Sequence, residues 1–210
     1  MLLPQERIPW ILRRCFFRED VIFRMEETTP SVYLTFDDGP IPESTPYILE
    51  ILGDFGVKGT FFMVADNARR YPELFRKVVE SGHAVGNHTF HHVPPFRQSV
   101  GEMMDDVALA DEILGSRLFR PPHGLITREQ QNALAGAGYR IMMFDLNTLD
   151  YRADRTADEI VRSVAENVRP GSVINMHDSL KSIGKLRTAL PEVLKVLRRR
   201  GLKITLPKVL

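Results

Sequence analysis

Two adjacent carboxylates, Asp37 and Asp38, end the β-branched and aromatic run Val32-Tyr33-Leu34-Thr35-Phe36 and are followed by Gly39-Pro40. The run predicts a strand that carries its chemistry at its C-terminal tip. Neighbours on a strand point to opposite faces, but a Gly-Pro turn can bring both acids to one cleft. The pair taken alone reads equally as a solvated turn in which Asp serves as a turn-forming residue. Close carboxylates repel unless a metal or an arginine takes up the charge, and the chain supplies candidates for both. In Asn87-His88-Thr89-Phe90-His91-His92, His88 and His92 stand four apart, the spacing of two imidazole ligands on one face if the segment is helical. Arg120 opens Arg120-Pro121-Pro122-His123-Gly124, and Asp145, Asp150-Tyr151 and His177-Asp178 follow further apolar runs.

Positioning these sets falls to alternating strands and helices. Strands are predicted over 32–36, 59–64, 84–86, 118–120, 140–145 and 172–176, with a last one over 202–206. Helices are predicted over 42–55 (Ser44 as cap), 72–81 (closed by Gly82), 98–114, 128–137, 157–168 and 185–200. Such alternation implies parallel strands with helices outside, and about seven strands favour a single-domain distorted (β/α) barrel over an open sheet. In that architecture the site lies at the C-terminal strand ends, where the five polar sets fall. Residues 1–30 read as an N-terminal arm packing on the barrel and 31–210 as the barrel domain.

Composition narrows the function classes. The 210 residues are 43% hydrophobic and 26% charged, enough for one globular core. With 28 Lys+Arg against 27 Asp+Glu, the net charge of +1 gives no electrostatic case for nucleic acid. A single cysteine, Cys15, excludes an internal disulfide and reads as buried bulk. The apolar patch Ile8-Pro9-Trp10-Ile11-Leu12 is short for a secretory signal's ~7–15 apolar residues and far short of a membrane span. A cytoplasmic location is therefore expected. The competing view docks Trp10, Phe16 and Phe17, with the neighbouring arginines, on a membrane face.

These motifs resemble those of the metal-dependent polysaccharide deacetylases that share the NodB homology domain, of the carbohydrate esterase family 4 type. The resemblance spans 30–206. It implies Asp37 as general base, Asp38, His88 and His92 as metal ligands, and Arg120 orienting Asp37. It further implies His177 as general acid tuned by Asp150, and substrate contacts at Pro122, His123, Tyr151 and Met176, with the His123 N–H helping to hold the carbonyl oxygen. The family usually has Tyr at position 123, Trp at 151 and an apolar residue at 175, where this chain has His123, Tyr151 and Asn175. Those departures bear on substrate identity more than on chemistry.

The chemistry of the side chains agrees with those roles. One carboxylate and two neutral imidazoles leave a divalent ion positively charged with open positions, as in catalytic zinc sites. One such ion is expected, zinc first, with cobalt or nickel as alternatives. Water bound there is acidified, Asp37 kept anionic by Arg120 takes its proton as it attacks an amide, and His177 protonates the departing amine. The expected reaction removes N-acetyl, or less readily O-acetyl, groups from an amino sugar, oligosaccharide or glycan precursor, short or soluble rather than an assembled polymer. Two other readings are a non-catalytic carbohydrate binder and a metal hydrolase of another non-peptide C–N bond. Outside the set, His83 reads as a loop histidine and His91 as lying on a different face from the ligands. Asp145 reads as a strand-end carboxylate bonding backbone amides, and Asp178 as a group capping or orienting His177.

Overall fold

The computed structural model describes residues 10–26 and 29–208, with side chains from 13 onward. Among these described residues are eight strands: β1 Ser31–Asp38, β2 Thr60–Met63, β3 Ala84–Asn87, β4 Leu118–Phe119, β5 Arg140–Ile141, β6 Leu146–Asn147, β7 Val173–His177 and β8 Lys203–Ile204. They alternate with α1 Trp10–Phe16, α2 Thr45–Asp54, α3 Ala65–Arg70, α4 Pro72–Glu80, α5 Val100–Leu114, α6 Arg128–Gly136, α7 Ala157–Asn167 and α8 Leu180–Arg199. The sheet runs β5-β4-β3-β2-β1-β7-β6, all parallel, with β8 added beside β1. It curls into a half-barrel of the distorted (β/α) type within one domain. Among the described residues, no helix is long and apolar enough to cross a membrane.

The alternation of side chains along β1 sets the layers. Val32, Leu34 and Phe36 pack outward into the main core with Ile48 and Leu52 of α2 and Leu186 and Leu190 of α8. Tyr33 packs inward with Phe62, Leu118 and Val173. The same inward face therefore carries Thr35 and Asp37, two and four residues on. On β7, Ile174 and Met176 belong to the outer core, so the inward positions are Val173, Asn175 and His177. Met176, expected at the substrate, is fully buried against the helices instead.

Helix starts follow local chemistry. Ser99–Glu102, Thr127–Gln130 and Thr156–Glu159 each close a reciprocal capping box at the start of α5, α6 and α7. Ser44 sits at the cap of α2 but makes no cap bond. Its hydroxyl goes to Asp178 instead, and α2 starts at Thr45 rather than 42.

The segment 140–145 is not one strand. Its apolar residues span the opening of the half-barrel, with β5 at one edge of the sheet and β6 at the other. The arm occupies this seam. Ile22 donates to the Ile141 carbonyl (2.9 Å) and accepts from the Met143 N–H (2.7 Å), while Met25 donates to Gly171 (2.9 Å) on the far side. Gly171 has a positive φ of 83°, and a Cβ there would collide with the Met25 carbonyl. Phe17, Val21 and Phe23 are buried with Phe119, Leu134 and Met143. Phe17 is thereby removed from the membrane-docking set; Phe16 and Cys15 are exposed, the latter contrary to its reading as buried bulk. The Trp10 side chain and residues 1–9 lie outside what is described.

Candidate metal centre and active site

Arg120 anchors the centre. It is 1% exposed, and its Nη1 donates to Asp37 Oδ1 (2.7 Å), Thr35 Oγ1 (2.8 Å) and Asn175 Oδ1 (2.9 Å). Nε and Nη2 donate to the carbonyls of Met142 (2.9 Å) and Met143 (2.8 Å), and the guanidinium lies 3.9 Å over the Phe62 ring. All three guanidinium nitrogens thus donate to fixed acceptors, and a rigid cation faces Asp37 from inside the barrel.

Asp38 reaches the same cleft because of its own backbone. Its φ is 84°, in the left-handed region, so the chain turns one residue before the Gly-Pro pair thought to turn it. Asn67 Nδ2 holds the Asp38 carbonyl at 2.9 Å, and the Gly39–Pro40 bond is cis. Asp178 packs behind this loop. A Cβ on Gly39 would collide with the Asp178 carboxylate, which accepts from the hydroxyls of Ser44 and Thr45 (2.6 Å for Thr45). Asp178 therefore neither caps nor orients His177. Burial pushes its carboxyl up to about 7 despite those hydroxyls.

His88 and His92 converge without a helix. After β3 the chain is irregular, with positive φ at Thr89 (66°) and His92 (57°). Asn87 Oδ1 accepts from the Thr89 N–H (2.9 Å), and Thr89 Oγ1 accepts from the His92 N–H (3.0 Å), which fixes the turn. The four-residue spacing was informative, but its helical rationale fails. His88 Nδ1 donates to the Arg120 carbonyl at 2.7 Å, so Nε2 carries the lone pair and lies 3.8 Å from Asp38 Oδ1. His92 Nε2 lies 3.3 Å from the same oxygen. The ligand atoms of Asp38, His88 and His92 all fall within 4.8 Å of one another, the one such candidate cluster among the described residues.

The donor set fits a divalent cation. Burial first, then His92, pushes His88 down to about 4 against the pull of Asp37 and Asp38, so its imidazole is neutral at pH 7. Burial opposes ionisation of Asp38, yet its bond to His92 and the fields of His177 and His88 hold it well below the usual carboxylate range. An anionic Asp38 and a neutral His88 are protonation states that ligation requires.

On the opposite wall, Asp150 grips His177 at two points. Oδ2 accepts the His177 N–H (2.8 Å) and Oδ1 accepts from Nδ1 (2.7 Å). Burial disfavours the imidazolium, but Asp150, then Asp38 and Asp37, push His177 up to about 9. Tyr151 packs edge-on to the ring at 4.8 Å, and His123, with φ 59°, stands 4.8 Å from His92.

A cavity of about 230 Å³ brings together Asp37, Asp38, His88, His92, His123, Tyr151, Asn175 and His177. Pro122 is buried outside its lining, as is Met176. Gly124, the end of the Arg120-Pro121-Pro122-His123-Gly124 motif, also lines it, as do Phe144, Asn147 and Lys181, which carried no motif. Asn147 could have been found as a polar strand-end residue, whereas nothing local marks Lys181. Asp145 is buried away from the cavity, bonding the Val173 N–H (2.9 Å) and the Ser172 hydroxyl (3.2 Å). His83 is buried as well, its Nδ1 accepting from the Gly59 N–H at 3.1 Å.

A curled parallel barrel with an Asp-His-His cluster, an arginine-held carboxylate and an aspartate-held histidine at its C-terminal rim defines a hydrolase. The family model described as polysaccharide deacetylase matches residues 24–142, and the chain belongs to that family. A peptidoglycan-N-acetylglucosamine deacetylase of Bacillus cereus is 33% identical over 188 residues, 85% of this chain and 67% of the relative. A chitooligosaccharide deacetylase of Azorhizobium caulinodans is 34% identical, covering 74% of this chain and 77% of its own. The crystal structure of a peptidoglycan N-acetylglucosamine deacetylase bound to 4-naphthalen-1-yl-N-oxidanyl-benzamide superposes with a TM-score of 0.86 at 28% identity, over 94% of both chains.

Proposed function

We propose that this deacetylase removes the N-acetyl group from an amino sugar of a short glycan, with one divalent ion, zinc first, held by Asp38, His88 and His92. Such an ion supplies Lewis acidity, lowering the pKa of water and polarising a carbonyl. Asp37, ion-paired with Arg120, takes the proton from the attacking water. The His123 N–H steadies the carbonyl oxygen, and His177, protonated through its contact with Asp150, gives a proton to the departing amine. Asp150 keeps the proton of Nδ1 engaged and directs the other ring nitrogen to the cleft. Tyr151, Asn175 and His123 shape the acetyl and sugar walls.

The observation that carries this reading is the placement of both proton-transfer groups around one cavity with the ligand cluster. A carbohydrate binder has no need of Asp37 fixed by Arg120 opposite His177 fixed by Asp150. The relatives' named substrates, peptidoglycan N-acetylglucosamine and chitooligosaccharides, support an acetamido sugar. The test is acetate release from acetylated amino sugars by chelator-stripped protein restored with zinc, cobalt or nickel. His88→Ala and His92→Ala should lose the ion by elemental analysis. Asp37→Asn should keep it and lose about 10²–10⁴-fold in kcat. Full occupancy in both histidine variants, or normal turnover by Asp37→Asn, overturns the assignment.

A further inference from the structure

The floor of the catalytic cavity carries an amide donor that no protein group uses. Inward positions along β1 and β7 step by two, so Asp37 and His177, paired in register, stand one step nearer the rim than Thr35 and Asn175, also paired. Asn175 is 2% exposed and lines the cavity. Its amide has one orientation. Arg120 Nη1 can only donate, so the oxygen of Asn175 must face it at 2.9 Å, and the Thr35 hydroxyl donates to the same oxygen at 3.4 Å. Nδ2 is thereby turned away from Arg120. Among the described residues it donates to no protein group, yet it is not sealed from solvent, and the opening available to so buried a residue is the cavity that it lines. Asn147, opposite Asn175 on β6, also lines that floor, and its side chain reaches the Tyr151 hydroxyl.

The reacting carbon has four neighbours once water has added. The attacking oxygen comes from the side of Asp37, the nitrogen lies toward His177 and carries the sugar outward, and the carbonyl oxygen lies toward the His123 N–H. The remaining neighbour, the acyl α-carbon, is left the floor below Asp37 and His177, where Asn175 and Asn147 stand. When substrate expels water from a cavity of about 230 Å³, an amide donor facing a methyl group loses its hydrogen bond. One facing a hydroxyl keeps it, and sites built to bond a hydroxyl discriminate strongly against the analogue that lacks it.

Resting on the deacetylase reading above, we propose that Asn175 selects the acyl group, and that the chain removes a 2-hydroxyacyl group, glycolyl, from an amino sugar in preference to acetyl. The glycolyl hydroxyl oxygen accepts from Nδ2. The reaction stays a hydrolysis: the water oxygen bonds to the carbonyl carbon, the C–N bond breaks, Asp37 takes a proton from the water and His177 gives one to the nitrogen. Glycolate and the free amine leave.

The test compares N-glycolylglucosamine with N-acetylglucosamine, each as monomer and tetramer, by amine release from the metal-loaded full chain. Wild-type kcat/KM should favour glycolyl by at least about tenfold. Asn175→Leu removes the donor, and Asn175→Asp removes it while keeping an oxygen toward Arg120; each should cut the glycolyl-to-acetyl ratio at least about fivefold. A role confined to supporting Arg120 lowers both substrates alike and leaves the ratio unmoved. Calorimetry on zinc-loaded Asp37→Asn should show the glycolyl sugar binding more tightly, a difference lost when Asn175→Leu is added. Preference of the wild type for acetyl, or a ratio unchanged in both Asn175 variants, overturns the proposal and leaves the deacetylase reading standing. Release of amine from none of the sugars overturns both.

Discussion

The proton on His177 is the most exposed consequence of the electrostatics at residue scale. Asp150, Asp38 and Asp37 together outweigh burial and push the ring up to about 9, above the ~6.5 of a free imidazole. The sign follows directly: the ring keeps its proton as pH rises past 6.5 and loses it through 9, so a protonated acid fails only on the alkaline side. A dication at Asp38 offsets part of that carboxylate field, which places the alkaline limb of kcat/KM between about 6.5 and 9. Asp150→Asn keeps a side chain of the same shape and removes its charge. The limb should move toward 6.5 and kcat/KM at pH 8 should fall at least tenfold; an unmoved limb in the pH–rate profile would take the acid role from His177. Asp37, Arg120 and His177 were legible as chemically unusual side chains directly after apolar runs, and His88 and His92 by their four-residue spacing. The partners of Asp178 were not, since adjacency to His177 says nothing of hydroxyls at Ser44 and Thr45, 134 and 133 positions away.

Between elements, buried histidines tie strand beginnings and ends together. His83, in the turn from α4 to β3, accepts the N–H of Gly59 just before β2, and its ring packs edge-on to Phe61. Burial, aided by Lys58, pushes it down to about 4, and His88 is likewise pushed down to about 4. Both folded pKa values lie below the unfolded ~6.5, so between those limits the unfolded chain binds more protons. The contribution of each of these two histidines is complete above about pH 6.5 and is lost as pH falls toward 4, by on the order of 3 kcal/mol for His83. Asp178, held up at about 7, acts with the opposite sign over much of the same range, so the check is the difference between variants. In urea unfolding of chelator-treated protein, His83→Gln should lose less stability than wild type as pH falls from about 6.5 to about 4, and an unchanged pH dependence would rule out His83. Most strands and helices were legible here from periodicity, but the boundaries, α1, the short α3 and β6 were not. The turn holding His88 and His92 rests on Asn87 and Thr89 side chains bonding nearby backbone, which no apolar period encodes.

Across the whole molecule, the arm and the catalytic carboxylate are linked through hydrogen bonds of backbone and of the Arg120 side chain. Ile22 pairs with Ile141 and Met143 across the open seam, and the carbonyls of Met142 and Met143 receive Nε and Nη2 of Arg120, which in turn holds Asp37. Composition and alternation pointed to a barrel, yet 140–145 looks like one apolar strand because bridging a gap and lying within a sheet bury the same residue types. Only the placement of the arm distinguishes them. Ile22→Pro removes the donor to Ile141 and leaves that carbonyl short of its partner, at a cost of about 1–3 kcal/mol. Arg120 then loses part of the wall that fixes its fork, while Asp38 and His92, on the far side of the cavity, keep their supports in Asn67 and Thr89. The variant should therefore unfold at lower urea, retain its metal by elemental analysis, and lose kcat severalfold with little change in KM. Phe23→Leu, which thins the same arm's packing but leaves the Ile22 bonds in place, should lower stability without the kcat loss. Equal kcat losses in the two variants would mean that the arm supports the barrel in general and not Arg120 in particular.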